Sequence, residues 1–362
     1  MLQGVEHILS SCHGADPSAG TEPAGQSCLE NGGGGKSCGT NQFFQVNIME
    51  RQPIVTVIIY TYNSSKYIVE TLNSVKEQTY PELNLCISDD CSTDSTIDIC
   101  RKWIERNKCR FQKTRIITSE KNTGISANAN RGWDICETEY FKDIAGDDVL
   151  LPNCIQDYFD YVQTHPDSVV VFGRVRPFRV YFGMKMWYKE SSHDYSFFNL
   201  SPQEQYHYLI YNGNSIPAAS CFYNMKKIRE IGFKHDERIP LLEDYPKWIV
   251  FARKGVRFDF LDKHTVGYRI NEKSLSVGAY SPRFYKSNLL LYLYYYQDEI
   301  KSDEKRDEIY NLMCDHVLHF YTNVINSFEY KFGCFLLYPL RVFQTIAIYL
   351  KNYITSSFRN MN

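Results

Sequence analysis

From Val55 onward, hydrophobic positions fall into short apolar runs separated by amphipathic segments. The runs VTVII at Val55, LNLCIS at Leu83, RIIT at Arg115, FKDIA at Phe141 and VVVF at Val169 have the length and β-branched content of buried strands. Between them, Ile68, Leu72 and Val75, then Ile97, Cys100 and Ile104, recur at helical spacing, followed by helical segments from Ile125 to Cys136 and from Cys154 to Gln163. Strand and helix alternate, which predicts an α/β fold with a doubly wound, mostly parallel sheet.

The alternation stops after Gly173. The stretch RVRPFRVYFGMKMWYK, running on to Asn199, mixes aromatic and basic residues and reads as strands or long loops of a variable recognition region. Helical periodicity returns from Pro202 to Tyr211, from Met225 to Ile231 and from Glu243 to Arg253, with short strands expected at Arg257 to Leu261 and Val266 to Ile270. From Tyr285 to Phe358 the pattern is mainly helical. Three regions follow: 1–48 as a tail or upstream extension, 49–280 as the folded domain, and 281–362 as a helical carboxyl-terminal extension.

Residues 1–48 carry no apolar period, so they bury too little surface to fold, and Met49 is an alternative start. The run GGGGKS there is no phosphate loop: the first glycine that motif needs is replaced by Glu30, and no strand leads into it. Near the other end, KFGCFLLYPLRVFQTIAIYLKNY is interrupted by Pro339, Arg341 and Gln344, and from Tyr330 onward there are four basic residues and no acidic one. A spanning helix needs about 20 apolar residues, so lying on a membrane surface suits this stretch better than crossing.

Composition narrows the class. A hydrophobic content of 43% in 362 residues excludes wholesale disorder, and 40 Lys plus Arg against 42 Asp plus Glu leaves no basic field for nucleic acid. Aromatic residues reach 15%, which suits either carbohydrate-facing surfaces or an aromatic-rich core. Twelve scattered cysteines, with no CxxC pair even around Cys28 and Cys38, read as free thiols of a reducing cytosol and not as a zinc site.

Two acidic pairs, Asp89-Asp90 and Asp147-Asp148, each follow a strand. In a doubly wound sheet, ligands bind beyond the carboxyl ends of the strands, which is also where Asn63 falls. Four carboxylates at one edge are costly unless a cation or hydrogen-bond donors offset them. In ISDDCSTD, Asp89 and Asp90 are candidates for contact with a base N–H or ribose hydroxyls, whereas Asp94 reads as a helix cap. In IAGDDVLLP, Gly146 allows close approach of a ligand, and two hard carboxylates suit Mg or Mn bound also to a diphosphate. NTGISANANRG, from Asn122 to Gly132, opens a helix with backbone N–H groups available to an anion or sugar.

Together these segments resemble the family 2 glycosyltransferases of the GT-A fold, over roughly Pro53 to Ser276. VTVIIYTYN resembles that family's opening strand, SDDCSTD its nucleotide-binding turn, NTGISANANRG its NxGxxxARNxG helix, AGDD its metal turn, and Leu242-Glu243-Asp244 its ED base motif. The resemblance implies Tyr62, Asn63, Asp89, Asp90, Asn122, Gly124, Asn130, Asp147, Glu243 and Arg269 as nucleotide-sugar contacts. It implies Asp147 and Asp148 as ligands of a divalent Mn or Mg, and Asp244 as catalytic base. VGYRINEKSLS resembles the segment after the base and implies Tyr268 and Arg269 near the diphosphate.

Three positions depart from the family pattern: Ala145 replaces an Asp of the metal turn, Ala129 an Arg of the helix motif, and Asn271 a His that assists the metal. The QxxRW signature of processive synthases is absent. The expected activity is therefore inverting transfer of a single hexosyl or N-acetylhexosaminyl group from a nucleotide-diphosphate donor. The expected acceptor is a glycan or lipid-linked glycan in bacterial surface-polysaccharide assembly, at the cytoplasmic face of the membrane, and no nucleic acid takes part. The alternatives are a catalytically spent nucleotide-sugar binder of the same fold and, with less support, a receiver-like phosphoacceptor domain. A dinucleotide-binding oxidoreductase is disfavoured because YTYNSS, not GxGxxG, follows the first strand.

Overall fold

A computed structural model describes residues 52–181, 184–187, 195–239, 241–270, 282–296 and Glu299. The apolar run VTVIIYT becomes strand β1 (Val55–Thr61), buried on both faces as the near-continuous hydrophobicity requires. It pairs in parallel with β2 (Leu83–Asp89) on one side and β4 (Tyr140–Ala145) on the other, and β2 pairs in parallel with β3 (Lys113–Thr118). The register sets Thr61 beside Asp89 and Tyr60 beside Ala145, so these strands end along one edge.

The crossovers are α1 (Ile68–Lys76), α2 (Thr96–Asn107) and α3 (Ile125–Asp134). Alternation along β1 divides the core into two layers. Val55, Val57 and Ile59 pack with Leu72 of α1, Trp103 of α2 and Ile155 of α4 (Cys154–Thr164). Ile58 faces the other way, into a layer with Trp133 of α3. That second layer is completed by α5 (Pro202–Asn212), α6 (Met225–Ile231), α7 (Asp244–Arg253) and Leu291 of α8 (Pro282–Tyr295). Helices thus cover both faces of the sheet, the doubly wound arrangement expected.

Beyond β4 the sheet is mixed. The strand order is β3-β2-β1-β4-β8-β6-β9-β5, with β5 (Val149–Leu150), β6 (Val170–Tyr181), β8 (Phe222–Asn224) and β9 (Phe258–Arg269), while β7 (Met184–Trp187) pairs with β6. β8 runs antiparallel to β4 and β6, and β6 runs parallel to β9. Parallel pairing therefore dominates only the amino-terminal half. Two strands expected at Arg257 to Leu261 and Val266 to Ile270 are one, β9. The polar residues Asp262 to His264 that separate them in sequence sit where the β6–β9 register slips, so a bulge carries the strand through. The aromatic and basic stretch after Gly173 is the β6–β7 hairpin.

The aromatic content goes largely into the core, where Phe172 packs against Phe198, Trp248 and Phe258 at centroid separations of 5.1 to 5.8 Å. The seven described cysteines are all free. No helix among the described residues is long and apolar enough to cross a membrane. The tail at 1–48, Asn271 and the basic apolar stretch after Tyr330 lie outside the described residues.

Candidate active site

The first acidic pair is bound up within the protein. Asp89 is buried and accepts hydrogen bonds from the Thr61 hydroxyl at 2.7 Å and from the Ser92 N–H and hydroxyl at 2.8 and 2.5 Å. Asp90 accepts from the Thr123 N–H at 3.0 Å, the Thr123 hydroxyl at 2.6 Å, the Gly124 N–H at 2.7 Å and Arg131 Nη2 at 2.8 Å. Burial pushes the Asp90 carboxyl up, but the donors from Thr123, Arg131 and Gly124 outweigh it and hold the group below its ordinary value. These two carboxylates, expected to contact a ligand, are thus held in place by donors from the chain itself. The N–H groups of Thr123 and Gly124, expected to face an anion, point to Asp90, and Gly124 is required because its φ is +90°.

Asn63 is drawn into the same knot. It adopts a left-handed φ of +51°, its N–H donates to the Ser92 hydroxyl, and its side-chain oxygen accepts from the Thr93 N–H at 2.8 Å. Asp94 ties the knot to α1 and α2 by accepting from the Ser65 and Thr96 N–H groups, as its cap-like position suggested. Of the residues implied as nucleotide contacts in this region, Tyr62 and Asn122 remain exposed beside the anchored turn.

The second acidic pair is held differently. Asp148 is buried, and one carboxylate oxygen accepts the Arg269 N–H at 2.8 Å. The Arg269 guanidinium does not reach either carboxylate of the pair: Nε donates to the Asp147 carbonyl at 2.7 Å, and Nη2 bonds Glu70, which also pairs with Lys185. Tyr67 and Phe178 sandwich that guanidinium, with centroids at 4.4 and 4.6 Å. Arg269, expected near the diphosphate, is therefore seated against the acidic turn and fixes it. Burial, and then the neighbouring charge of Asp147, raise the Asp148 carboxyl well above the carboxylate range.

Gly146 serves packing as well: a Cβ there would lie 2.9 Å from Thr61 Cγ2 and 3.0 Å from Ser64 Oγ. Ala145, where the family pattern has an Asp, is exposed at the end of β4. The Thr71 hydroxyl, donating to the Asp148 carbonyl at 2.7 Å, secures the turn from α1.

Glu243 and Asp244 open α7 on the other layer. The Asp244 carboxylate accepts the Asn214 amide at 2.7 Å and the Tyr245 N–H at 2.7 Å, which fixes its rotamer and leaves lone pairs open. Glu243 is partly exposed, and burial of its carboxyl, with the charge of Asp244, pushes it up to about 7. Asn130, expected to touch the ligand, is buried. It accepts the His235 N–H at 2.9 Å and donates to the His235 carbonyl at 3.0 Å, and His235 Nδ1 lies 3.1 Å from the Glu243 carbonyl. Asn130 thus docks the loop before α7 onto α3 and positions Glu243 and Asp244 indirectly.

Sequence reasoning missed Arg131, Glu70, Asp143, His235 and Lys247. A helical charge at Arg131 or Glu70 reads as a solvated face, and only the tertiary fold brings it against an acidic turn. Asp143 inside the apolar run FKDIA was the one visible signal, since a carboxylate within a buried strand is rare.

The doubly wound amino-terminal half, with acidic turns at the carboxyl ends of β2 and β4 and a second acidic pair opening α7, is the architecture of a nucleotide-sugar-binding α/β domain. Residues 56–232 match the family model described as glycosyl transferase family 2. Chondroitin synthase of Escherichia coli is 35% identical over 108 residues, covering 30% of this chain and 15% of that protein. The poly(ribitol-phosphate) β-N-acetylglucosaminyltransferase TarS of Staphylococcus aureus is 27% identical over 221 residues, 55% of this chain and 36% of TarS. The UDP-Glc:α-D-GlcNAc-diphosphoundecaprenol β-1,3-glucosyltransferase WfaP of Escherichia coli is 23% identical over 239 residues, 66% of this chain and 85% of WfaP. This chain therefore spans well under half of the first two relatives. The crystal structure of TarS residues 1–349 with UDP-GlcNAc superposes with a TM-score of 0.52 at 20% identity, over 73% of this chain and 80% of that one. The fold is thus of the GT-A type.

Proposed function

We propose that the protein transfers a single neutral hexosyl or N-acetylhexosaminyl group from a UDP-linked donor to a hydroxyl of a glycan or lipid-linked glycan, with inversion at the anomeric carbon. The observation that carries this reading is the Asp147-Asp148 turn just past β4, which Arg269 holds through its own N–H to the Asp148 carboxylate and through the Asp147 carbonyl, its guanidinium meeting neither carboxylate. The substrates of TarS, UDP-GlcNAc and poly(ribitol-phosphate), and of WfaP, UDP-Glc and a diphosphoundecaprenol-linked GlcNAc, support the donor and a surface-polymer acceptor.

Asp244 acts as the base. It takes the proton of the acceptor hydroxyl as that oxygen attacks the anomeric carbon from the side opposite the departing UDP, so one displacement inverts the centre. Asn214 and the Tyr245 N–H keep the carboxylate aimed throughout. For the metal, Asp147 and Asp148 offer hard oxygen donors, and no group of three or more acidic, His or Cys residues gathers among the described residues. That set fits Mg or Mn with water and phosphate oxygens completing its shell, and not a closed protein cage. When bound, such an ion would neutralise charge on the diphosphate leaving group.

The test is release of UDP from a panel of UDP-sugars with Mn, in the presence and absence of glycan acceptors. Acceptor-dependent release that Asp244→Asn abolishes, with UDP binding retained, is the expected outcome. UDP binding without turnover of any donor would favour the catalytically spent alternative.

A further inference from the structure

Below the exposed Ala145, on the same face of β4, lies Asp143, two residues or about 7 Å deeper along the strand. Its carboxylate receives no hydrogen bond from another described side chain or backbone group, although it is only partly exposed. Facing this layer from α7 is Lys247, 3% exposed, whose ammonium donates to the Tyr223 hydroxyl at 2.9 Å and lies 4.3 to 5.4 Å from the ring centroids of Trp248, Tyr223 and Trp133. Glu243, one helical turn before Lys247, is a third charged group, again partly exposed, and its carboxyl takes no hydrogen bond from another described residue. Asp143, Lys247 and Glu243 feel one another's charge, yet no pair of them closes an ion pair within 4 Å among the described residues.

The walls add unspent polar atoms. His235 is 4% exposed and its Nδ1 is turned to the Glu243 carbonyl, so Nε2 is left without a partner among the described residues. The Tyr60 hydroxyl and the Trp133 indole N–H approach one another without closing a well-formed hydrogen bond. Uncompensated charges and polar atoms this deep are costly, and a polar occupant would satisfy them. Hydroxyl groups fit this wall: each can donate to Asp143, Glu243 or His235 Nε2 while accepting from Lys247, Tyr60 or Trp133.

We propose that Asp143, Lys247 and Glu243 frame a specificity pocket that receives hydroxyls of the transferred sugar and rejects sugars bearing a carboxylate there. The position follows from β4, whose next outward residues on this face and turn are Ala145 and Asp147, where the diphosphate would sit. Selectivity follows from charge, because burial already disfavours the ionised carboxyls of Asp143 and Glu243, so a further carboxylate on the sugar costs more there than a neutral hydroxyl. The inference rests on the transferase reading above and adds which residues choose the sugar.

Calorimetric titration with UDP, UDP-glucose, UDP-GlcNAc and UDP-glucuronate, all with Mn, tests it on the wild type, Asp143→Asn and Lys247→Met. UDP affinity reports on the fold and the nucleotide site and stays unchanged in both variants. Affinity for the preferred neutral UDP-sugar, relative to UDP, falls about tenfold in each variant. In Asp143→Asn, discrimination against UDP-glucuronate also narrows. Unchanged ratios in both variants overturn the pocket and leave water as its occupant. Wild-type protein that binds neither UDP nor any UDP-sugar refutes the UDP-donor reading on which the pocket rests, and the pocket falls with it.

Discussion

The two Asp-Asp pairs occupy equivalent places, each just past the carboxyl end of a parallel strand, and the fold treats them in opposite ways. Asp89 and Asp90 receive donors from Thr61, Ser92, Thr123, Gly124 and Arg131, so their charge is spent on holding β1, β2 and α3 together. Around Asp147 and Asp148 the nearest guanidinium bonds a backbone carbonyl and Glu70, so the turn is fixed without that guanidinium meeting either carboxylate. The same dipeptide is an anchor in one turn and, under the proposed function, the metal and diphosphate site in the other. What separates them is where the neighbouring cation points.

Substitution of the second pair should have the largest effect. Asp147→Asn with Asp148→Asn should lower transfer by about a thousandfold or more, measured as acceptor-dependent UDP release, if these carboxylates serve the diphosphate and metal. Without metal, the same change should leave stability unchanged or raise it by about 1 kcal/mol in urea denaturation, because a buried repulsive pair becomes neutral.

The first pair should behave in reverse. Asp90→Asn strands Arg131 and should cost about 2 kcal/mol of stability, lowering the denaturation midpoint, the ion pair being partly exposed at Arg131. Because donors hold the Asp90 carboxyl below its unfolded value, its stabilising contribution is present above that value and is lost as pH falls through the folded one. Wild type should therefore lose stability on acidification where Asp90→Asn does not.

Glu243 carries the opposite sign. With its carboxyl pushed up to about 7, the native state binds a proton the unfolded chain has released, so stability declines as pH rises from the ordinary Glu range to about 7. Glu243→Gln should flatten that decline in melting curves measured across the window. The smallest effect is expected at Asn63, where Asn63→Ala removes the oxygen shared by the Thr93 and Asp94 N–H groups and gives up a residue type tolerant of positive φ, costing about 1 kcal/mol.

Much of this was readable in the chain. The β-branched runs and the helical spacing of Ile68, Leu72 and Val75 placed the amino-terminal half because local period and burial agree there. The second half resisted: β9 crosses a polar stretch at Asp262 to His264 that only a tertiary bulge explains. At the site, sequence located both acidic pairs but could not say which was spent, since the donors to Asp90 come from residues 29 to 41 positions away. The intrachain partners of Asn130 and Arg269 were hidden for the same reason. Each sits in a segment whose pattern suggests a ligand, and each is consumed by a neighbour that folding alone supplies.

Calorimetric titration of UDP into wild-type protein and the Asp147→Asn, Asp148→Asn variant, each with and without Mn, tests most directly whether the second pair is the working one. If it is, wild type binds UDP at least about tenfold more tightly with Mn, and the variant loses that dependence while keeping its fold. Metal-independent binding of UDP that is equal in both proteins would contradict it.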